Sequence, residues 1–171
     1  MSRPLAILCC ALMALAGCDD PQISGPSRRI TLLEADLPRM ANLSQILVEV
    51  HGVPWAGATP GEVTESMKMP QGPARRLRFV LAPVGESRIG ARDRLVLHFN
   101  PLGEPNSEAD CRARGPLPSA EPSTRGFKVN VTLCRGNEWM IRAFMKSGAD
   151  ANDWLAYHLA MGTVLGKMFP D

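Results

Sequence analysis

Residues 127–145 commit this chain to an antiparallel hairpin. Phe127, Val129, Val131 and Leu133 alternate with Lys128, Asn130, Thr132 and Cys134. After the turn signal Arg135-Gly136-Asn137, Trp139, Ile141, Ala143 and Met145 alternate with Met140, Arg142, Phe144 and Lys146. A period of two puts each set on one side of a pleated strand, and a Gly–Asn turn suits closure of adjacent strands. A hairpin with one apolar face is unstable alone. It needs further strands beside it and a layer over it.

The same period recurs upstream. Ile46, Val48 and Val50 alternate with Leu47, Glu49 and His51. Leu77, Phe79 and Leu81 oppose Arg78, while Leu95, Leu97 and Phe99 oppose Arg94, His98 and Asn100. These last two runs read as a meander turning through Gly85 to Gly90. Thr59-Pro60-Gly61-Glu62 supplies an N-cap, a proline at the first helical position and a capping-box glutamate, so a short helix ending before Pro70 is expected. A longer helix is expected from about Asn152 to Met168, capped by Asp150 or Asn152. Its apolar stripe is Trp154, Tyr157, Met161, Leu165 and Met168, widened by Leu155, Leu159 and Gly162. Gly162 and Gly166 form a GxxxG pair. In a segment this short, carrying His158 and Lys167, the pair points to close approach of helix and sheet rather than to pairing in lipid.

The expected fold class is α+β: a mostly antiparallel sheet of about five strands, in the order β-α-β-β-β-β-α, with both helices on one face. The other face carries Glu49, Arg78, His98, Asn130, Thr132 and Arg142. It is either open to water or roofed by residues 101–126, a long loop rich in Pro, Gly and Ser.

The amino terminus sets the address. Leu5 to Ala16 carry no charge, follow Arg3, and run for about a dozen residues, the length of a signal-peptide core and too short for a membrane span. Leu15-Ala16-Gly17-Cys18 resembles the lipobox of bacterial lipoproteins; an ordinary secretory signal that contains cysteine is the alternative. The resemblance covers the first 20 residues. It implies that residues 1–17 are a signal peptide and that Cys18 is acylated and holds the protein in membrane lipid on the periplasmic side of the envelope. Asp19 directly after that cysteine resembles a signal for retention in the inner membrane. Residues 18–43 then read as a lipidated tether. Asp19 to Ser27 is polar and broken by prolines and glycine, with a reach of roughly 15–20 Å. Leu32, Leu33 and Leu37 are compatible with a short helix stopped near Pro38. Residues 44–171 read as one domain.

Of the five cysteines, Cys9 and Cys10 leave with the signal and Cys18 carries lipid. Cys111 and Cys134 remain, an even pair in an oxidising compartment, and the simplest outcome is one disulfide. Closing that loop stabilises by about 3 kcal/mol in the chain-entropy account. A reactive thiol or a metal pair is the alternative, but neither cysteine has a CxxC neighbour or a nearby histidine.

The mature chain is close to neutral, because Arg3 is lost and the 17 acidic side chains nearly balance the remaining basic ones. That balance and the exported address argue against a nucleic-acid partner. The arginines are unevenly placed: Arg75, Arg76, Arg78, Arg88, Arg92 and Arg94 lie close together. They read as the solvated face of a hairpin or as a patch facing anionic lipid headgroups.

Catalytic motifs are missing: the chain contains no HExxH, no GxSxG and no Walker loop, and no motif asks for a cofactor. Candidate sites are therefore few. His51 and His98 fall on the polar sheet side, where Glu49 or Asn100 would help them hold a ligand or a metal, yet no third ligand is fixed. Met67-Lys68-Met69 is similar to the Met-x-Met pairs of periplasmic copper carriers, although core gap-filling is the simpler account. Trp55, in the loop Gly52-Val53-Pro54-Trp55-Ala56-Gly57, is either a recognition anchor beside Arg75, Arg76 and Arg78 or a cap folded onto the sheet. Three function classes follow. The first is a non-catalytic envelope lipoprotein acting as an accessory or scaffold for an envelope protein partner. The second is a small-ligand or metal binder using the polar sheet face under residues 101–126. The third is a small envelope hydrolase.

Overall fold

The computed structural model describes residues 21–29, 45–68, 77–82, 93–150 and 153–169. Cys18, Asp19, Met69, Arg75, Arg76, Arg88, Arg92, the 85–90 turn and most of the region read as a tether lie outside the described residues. The described chain is α+β, with six strands, three helices and one disulfide. The strands are β1 (Gln22–Arg28), β2 (Gln45–His51), β3 (Arg78–Leu81), β4 (Asp93–Phe99), β5 (Arg125–Arg135) and β6 (Glu138–Asp150). The helices are α1 (Pro60–Glu65), α2 (Ser107–Arg112) and α3 (Trp154–Met168).

The strands form one sheet in the order β1-β6-β5-β4-β2-β3. The pairs β1/β6, β6/β5 and β5/β4 are antiparallel, whereas β2 runs parallel to both β4 and β3. The sheet is therefore mixed. The expected meander does not form, because β2 lies between β3 and β4. Its cause is the β2-α1-β3 connection: a parallel pair needs a crossover of a dozen or more residues, and α1 supplies it. The expected sheet also lacked β1. Gln22–Arg28, inside the stretch read as tether, is an edge strand that pairs Gln22 with Lys146 and Arg28 with Ile141. Its proline fits the edge position, where a ladder N–H is dispensable. Gly25 allows the close approach to β6: its φ is +100°, and a Cβ there would sit 3.1 Å from the Arg142 carbonyl oxygen.

One sheet face carries the core, formed by Ile46, Val48, Val50, Leu95, Leu97, Phe99, Phe127, Val129, Val131 and Leu133 beneath α1 and α3. The strand phases read from alternation place these residues together. The capping box at α1 is formed as expected. Glu62 accepts from the Thr59 N–H at 2.9 Å, and Thr59 Oγ1 accepts from the Glu62 N–H at 3.3 Å. The Thr59 hydroxyl also donates to Glu62 Oε2 at 2.7 Å, and this bond, then the one from the Thr59 N–H, holds the Glu62 carboxyl below its ordinary value. On α3, Tyr157, Met161, Leu165 and Met168 are buried. Three expectations for this helix fail. The N-cap is Asp153, whose carboxylate accepts from the Ala156 N–H at 2.9 Å. Leu155 and Leu159 do not widen the buried stripe but stand 69% and 61% exposed. Nor does Gly162 bring helix and sheet together, since a Cβ added there meets nothing within 4 Å.

The hairpin contains a further departure. Gly136 and Asn137 close a two-residue turn that pairs Arg135 with Glu138, but Leu133 faces Ile141, leaving Met140 as an extra residue. This β-bulge reverses the phase. Met140 enters the core, and Trp139 moves to the opposite face beside Val96, Cys111 and Cys134.

Trp55 folds back as an inner cap. It is 2% exposed, with Trp154 at 4.7 Å, Tyr157 at 5.7 Å and Phe127 at 6.3 Å between ring centroids. Such edge-to-face pairs add to the area they bury. The Tyr157 hydroxyl donates to the Val63 carbonyl at 3.3 Å, joining α3 to α1. Burial drives the Tyr157 phenol far above its ordinary value. The neutral phenol is thus retained in the folded state while the unfolded chain ionises, so stability present below the unfolded phenol pKa is lost as pH rises past it. Tyr157→Phe removes one hydrogen bond and should cost about 1 kcal/mol at neutral pH. Above about pH 10 it should lose stability less steeply than the wild type, as measured by denaturant unfolding at neutral and alkaline pH.

Candidate functional site

Residues 101–126 lie on the second face of the sheet and roof part of it: Glu49, His98, Asn130 and Thr132 are buried, while Arg78 and Arg142 stay exposed. Within this loop α2 forms, a helix the sequence reading left as loop. Asn106 caps it by accepting from the Ala109 N–H at 3.0 Å, and Glu108 pairs with Arg112 one turn on at 2.8 Å. Cys111 on α2 is bonded to Cys134 on β5, with Cα atoms 5.5 Å apart, well inside the limit for a disulfide.

Buried polar groups hold the segment down. The Asp110 carboxylate faces His98 Nδ1 at 3.0 Å and accepts from Asn130 Nδ2 and, at 3.3 Å, from the Thr132 hydroxyl. His98 Nε2 faces the Pro118 carbonyl at 3.2 Å. His51 Nδ1 accepts from the Leu117 N–H at 3.1 Å. Arg94 is fully buried; it donates to the carbonyls of Gly136 and Cys111, both at 2.6 Å, and its Nε lies 3.4 Å from Glu49 Oε1. Gly52 is required beneath the returning chain, since a Cβ there would lie 2.8 Å from both the Phe99 carbonyl oxygen and the Ser119 hydroxyl.

The same segment engages both histidines of the polar face. His51 and His98 are cross-strand partners with ring centroids 6.2 Å apart. Both are buried; both ring nitrogens of His98 face protein groups, while His51 Nε2 makes no hydrogen bond and lies 3.7 Å from Glu49 Oε2. They fasten a loop to a sheet, and no cluster of three metal-type side chains occurs among the described residues. His158 Nδ1 lies 2.8 Å from the Ser66 carbonyl and links α3 to the end of α1. Met67 is buried in the core as a gap-filler. Of the expected interaction surface, Trp55 is inside the protein and Arg78 is exposed on edge strand β3.

A cleft of about 550 Å³ opens beside the roof, a size typical of small-ligand sites. Its floor comes from β1, β5 and β6, and its wall is the chain from Pro101 to Ser107. Lys146 stands opposite Lys128 on one side and Gln22 on the other; Phe144 lies between Asn130 and Ser24; Arg142 lies between Thr132 and Ser27. The charged lining is Lys128, Arg142 and Lys146 against Glu104. Directly opposed lysines repel across an antiparallel pair, and neither forms an ion pair with another described residue. Arg142 is posed by Trp139, with its guanidinium carbon 4.7 Å from the indole centroid; Arg29 lies 5.1 Å from the same centroid. Stacking pre-organises the planar fork. Sequence reasoning placed Asn130 and Arg142 on the polar face but missed the two lysines, because their pairing depends on the bulge at Met140. It missed Asp110 as well, which had only the Asn106 cap signal nearby.

Comparison with protein-family models, curated proteins and solved structures finds no match for this chain. No described helix is long and apolar enough to cross a membrane.

The Arg94 clamp is testable. Arg94→Met leaves Glu49 buried without its guanidinium, which should cost about 3–5 kcal/mol. Glu49→Gln combined with Arg94→Met should recover part of that loss, as read by denaturant unfolding of both variants.

Proposed function

We propose that this protein is a lipid-anchored envelope protein that binds an anionic ligand, without catalysing its reaction, in the cleft between β1, β5, β6 and the Pro101–Ser107 wall. The observation that carries this reading is the Lys128–Lys146 cross-strand pair. Two like charges are held opposite each other with no ion pair to another described residue, and Arg142, four residues along β6, is stacked in place towards the other end of the cleft. An anion that accepts from both lysines relieves the repulsion and gains charge-assisted hydrogen bonds, with Arg142 available to a ligand that extends along β6. Asn130 and the serines that line the cleft add neutral donors. The lining contains no histidine, and all three histidines of the chain are engaged with other protein groups. That arrangement favours binding over acid–base chemistry.

A protein-partner role is a second reading, favoured by one observation. Leu155 and Leu159 lie one turn apart on the outer side of α3, both largely exposed, beside a groove that reaches Gly162 and Gly166. A scaffold would use that face and leave the cleft empty.

The ligand reading is tested by titrating the protein with inorganic phosphate and with glycerol phosphate while following backbone amide resonances. Shifts should centre on Lys128, Asn130, Phe144 and Lys146. Lys128→Gln with Lys146→Gln should weaken binding by about 10–100-fold, the loss expected for charge-assisted bonds. Lys68→Gln, on the far side of the sheet, should leave it unchanged. Equal affinity in all three proteins would defeat the reading.

A further inference from the structure

We infer that the anion taken by this cleft is the phosphate of an acidic phospholipid headgroup, belonging to the membrane in which the Cys18 anchor is embedded. The inference rests on the anion-binding reading above and on acylation of Cys18, and it adds the source of the ligand. The first support is distance along the chain. The edge strand that walls the cleft begins at Gln22, only four residues after Cys18. Four peptide units span at most about 14 Å. The stretch expected to hold the domain away from the bilayer is therefore largely consumed by β1, and the domain is drawn against the membrane.

The second support is register. Gln22, the strand residue nearest the anchor, pairs with Lys146, and Lys146 pairs with Lys128. Strand spacing puts these lysine backbones about 5 and 10 Å from Gln22. The β1 row closest to the anchor is therefore the row that carries the opposed cations. The third support is continuity of charge. A second concavity of about 250 Å³ shares Lys128 and Lys146 with the first and adds Arg125 against the single carboxylate of Glu121. Cations next to an anionic leaflet gain from its surface potential, which decays within a Debye length of the surface. The short anchor keeps them inside that distance.

The experiment uses the native acylated protein reconstituted into vesicles of phosphatidylcholine, with or without phosphatidylglycerol. Lysine acylation rates are read by mass spectrometry. Lys128 and Lys146 should react at least about fivefold more slowly when phosphatidylglycerol is present. Lys68 and Lys167, which line the groove on the α3 side, should not change. Equal slowing of all four lysines indicates non-specific charging of the surface and overturns the inference. A third arm adds soluble glycerol phosphate to phosphatidylcholine vesicles. Protection in that arm, without protection by phosphatidylglycerol, keeps the cleft as an anion site and overturns the membrane assignment. Protection in neither arm overturns both readings. The same spectra report the amino-terminal peptide; a mature chain without acyl mass on Cys18 removes the argument from reach and overturns the inference.

Discussion

Asp110 carries the interaction on which the second face of the sheet depends. A carboxylate taken out of water costs several kcal/mol unless donors replace its hydration. Here His98, Asn130 and Thr132 surround it, contributed by two neighbouring strands. None of these contacts exists unless α2 is seated on β4 and β5. The network therefore selects one position for residues 101–126, and the disulfide makes that position covalent one residue later. Arg94 serves the same end from the other side, joining the carbonyl of Cys111 to the turn at Gly136. Polar groups of this kind are costly when half satisfied and specific when filled.

The two faces of the sheet thus do different things. One is closed by apolar and aromatic packing around Trp55, Phe127 and Tyr157, under α1 and α3. The other is closed by hydrogen bonds over β4 and part of β5. The roof crosses from β4 and β5 onto the Trp139 end of β6, and the strip of β5, β6 and β1 it leaves uncovered is the floor of the cleft. A loop pinned by a disulfide and a buried carboxylate makes a rigid wall, which limits the ordering cost of binding. Trp139, placed on this side by the bulge, rests against the disulfide cysteines and carries Arg142 on its exposed ring.

Much of this architecture is legible residue by residue. Alternation assigned Ile46, Leu95, Val129 and their neighbours to the core, and Thr59 with Glu62 marked the start of α1. In hindsight the bulge is legible too. A two-residue turn at Gly136-Asn137 pairs Arg135 with Glu138, and strict register from there would set Leu133 against Met140 and Val131 against Arg142. The alternation and the turn disagree by one residue, and an extra residue at Met140 reconciles them. The parallel placement of β2 was not legible from periodicity, which reports the face a side chain takes and not the strand beside it.

What the sequence determined by itself is local: which residues form strands β2 to β6 and helices α1 and α3, where the first helix and the hairpin turn fall, and which side of those strands is apolar up to the bulge at Met140. These follow from backbone sterics, capping bonds and the periods of strand and helix, all settled within a few residues. The tertiary structure decided which strands are neighbours, that Gln22–Arg28 joins the sheet, that Glu49, His51, Arg94 and His98 are buried, and that Lys128 faces Lys146. Those outcomes depend on contacts between residues far apart in the chain, where burial and pairing with a distant partner outweigh local preference. A polar side chain on a strand reads the same whether it meets water or a carboxylate from a loop, and only the folded chain supplies the answer.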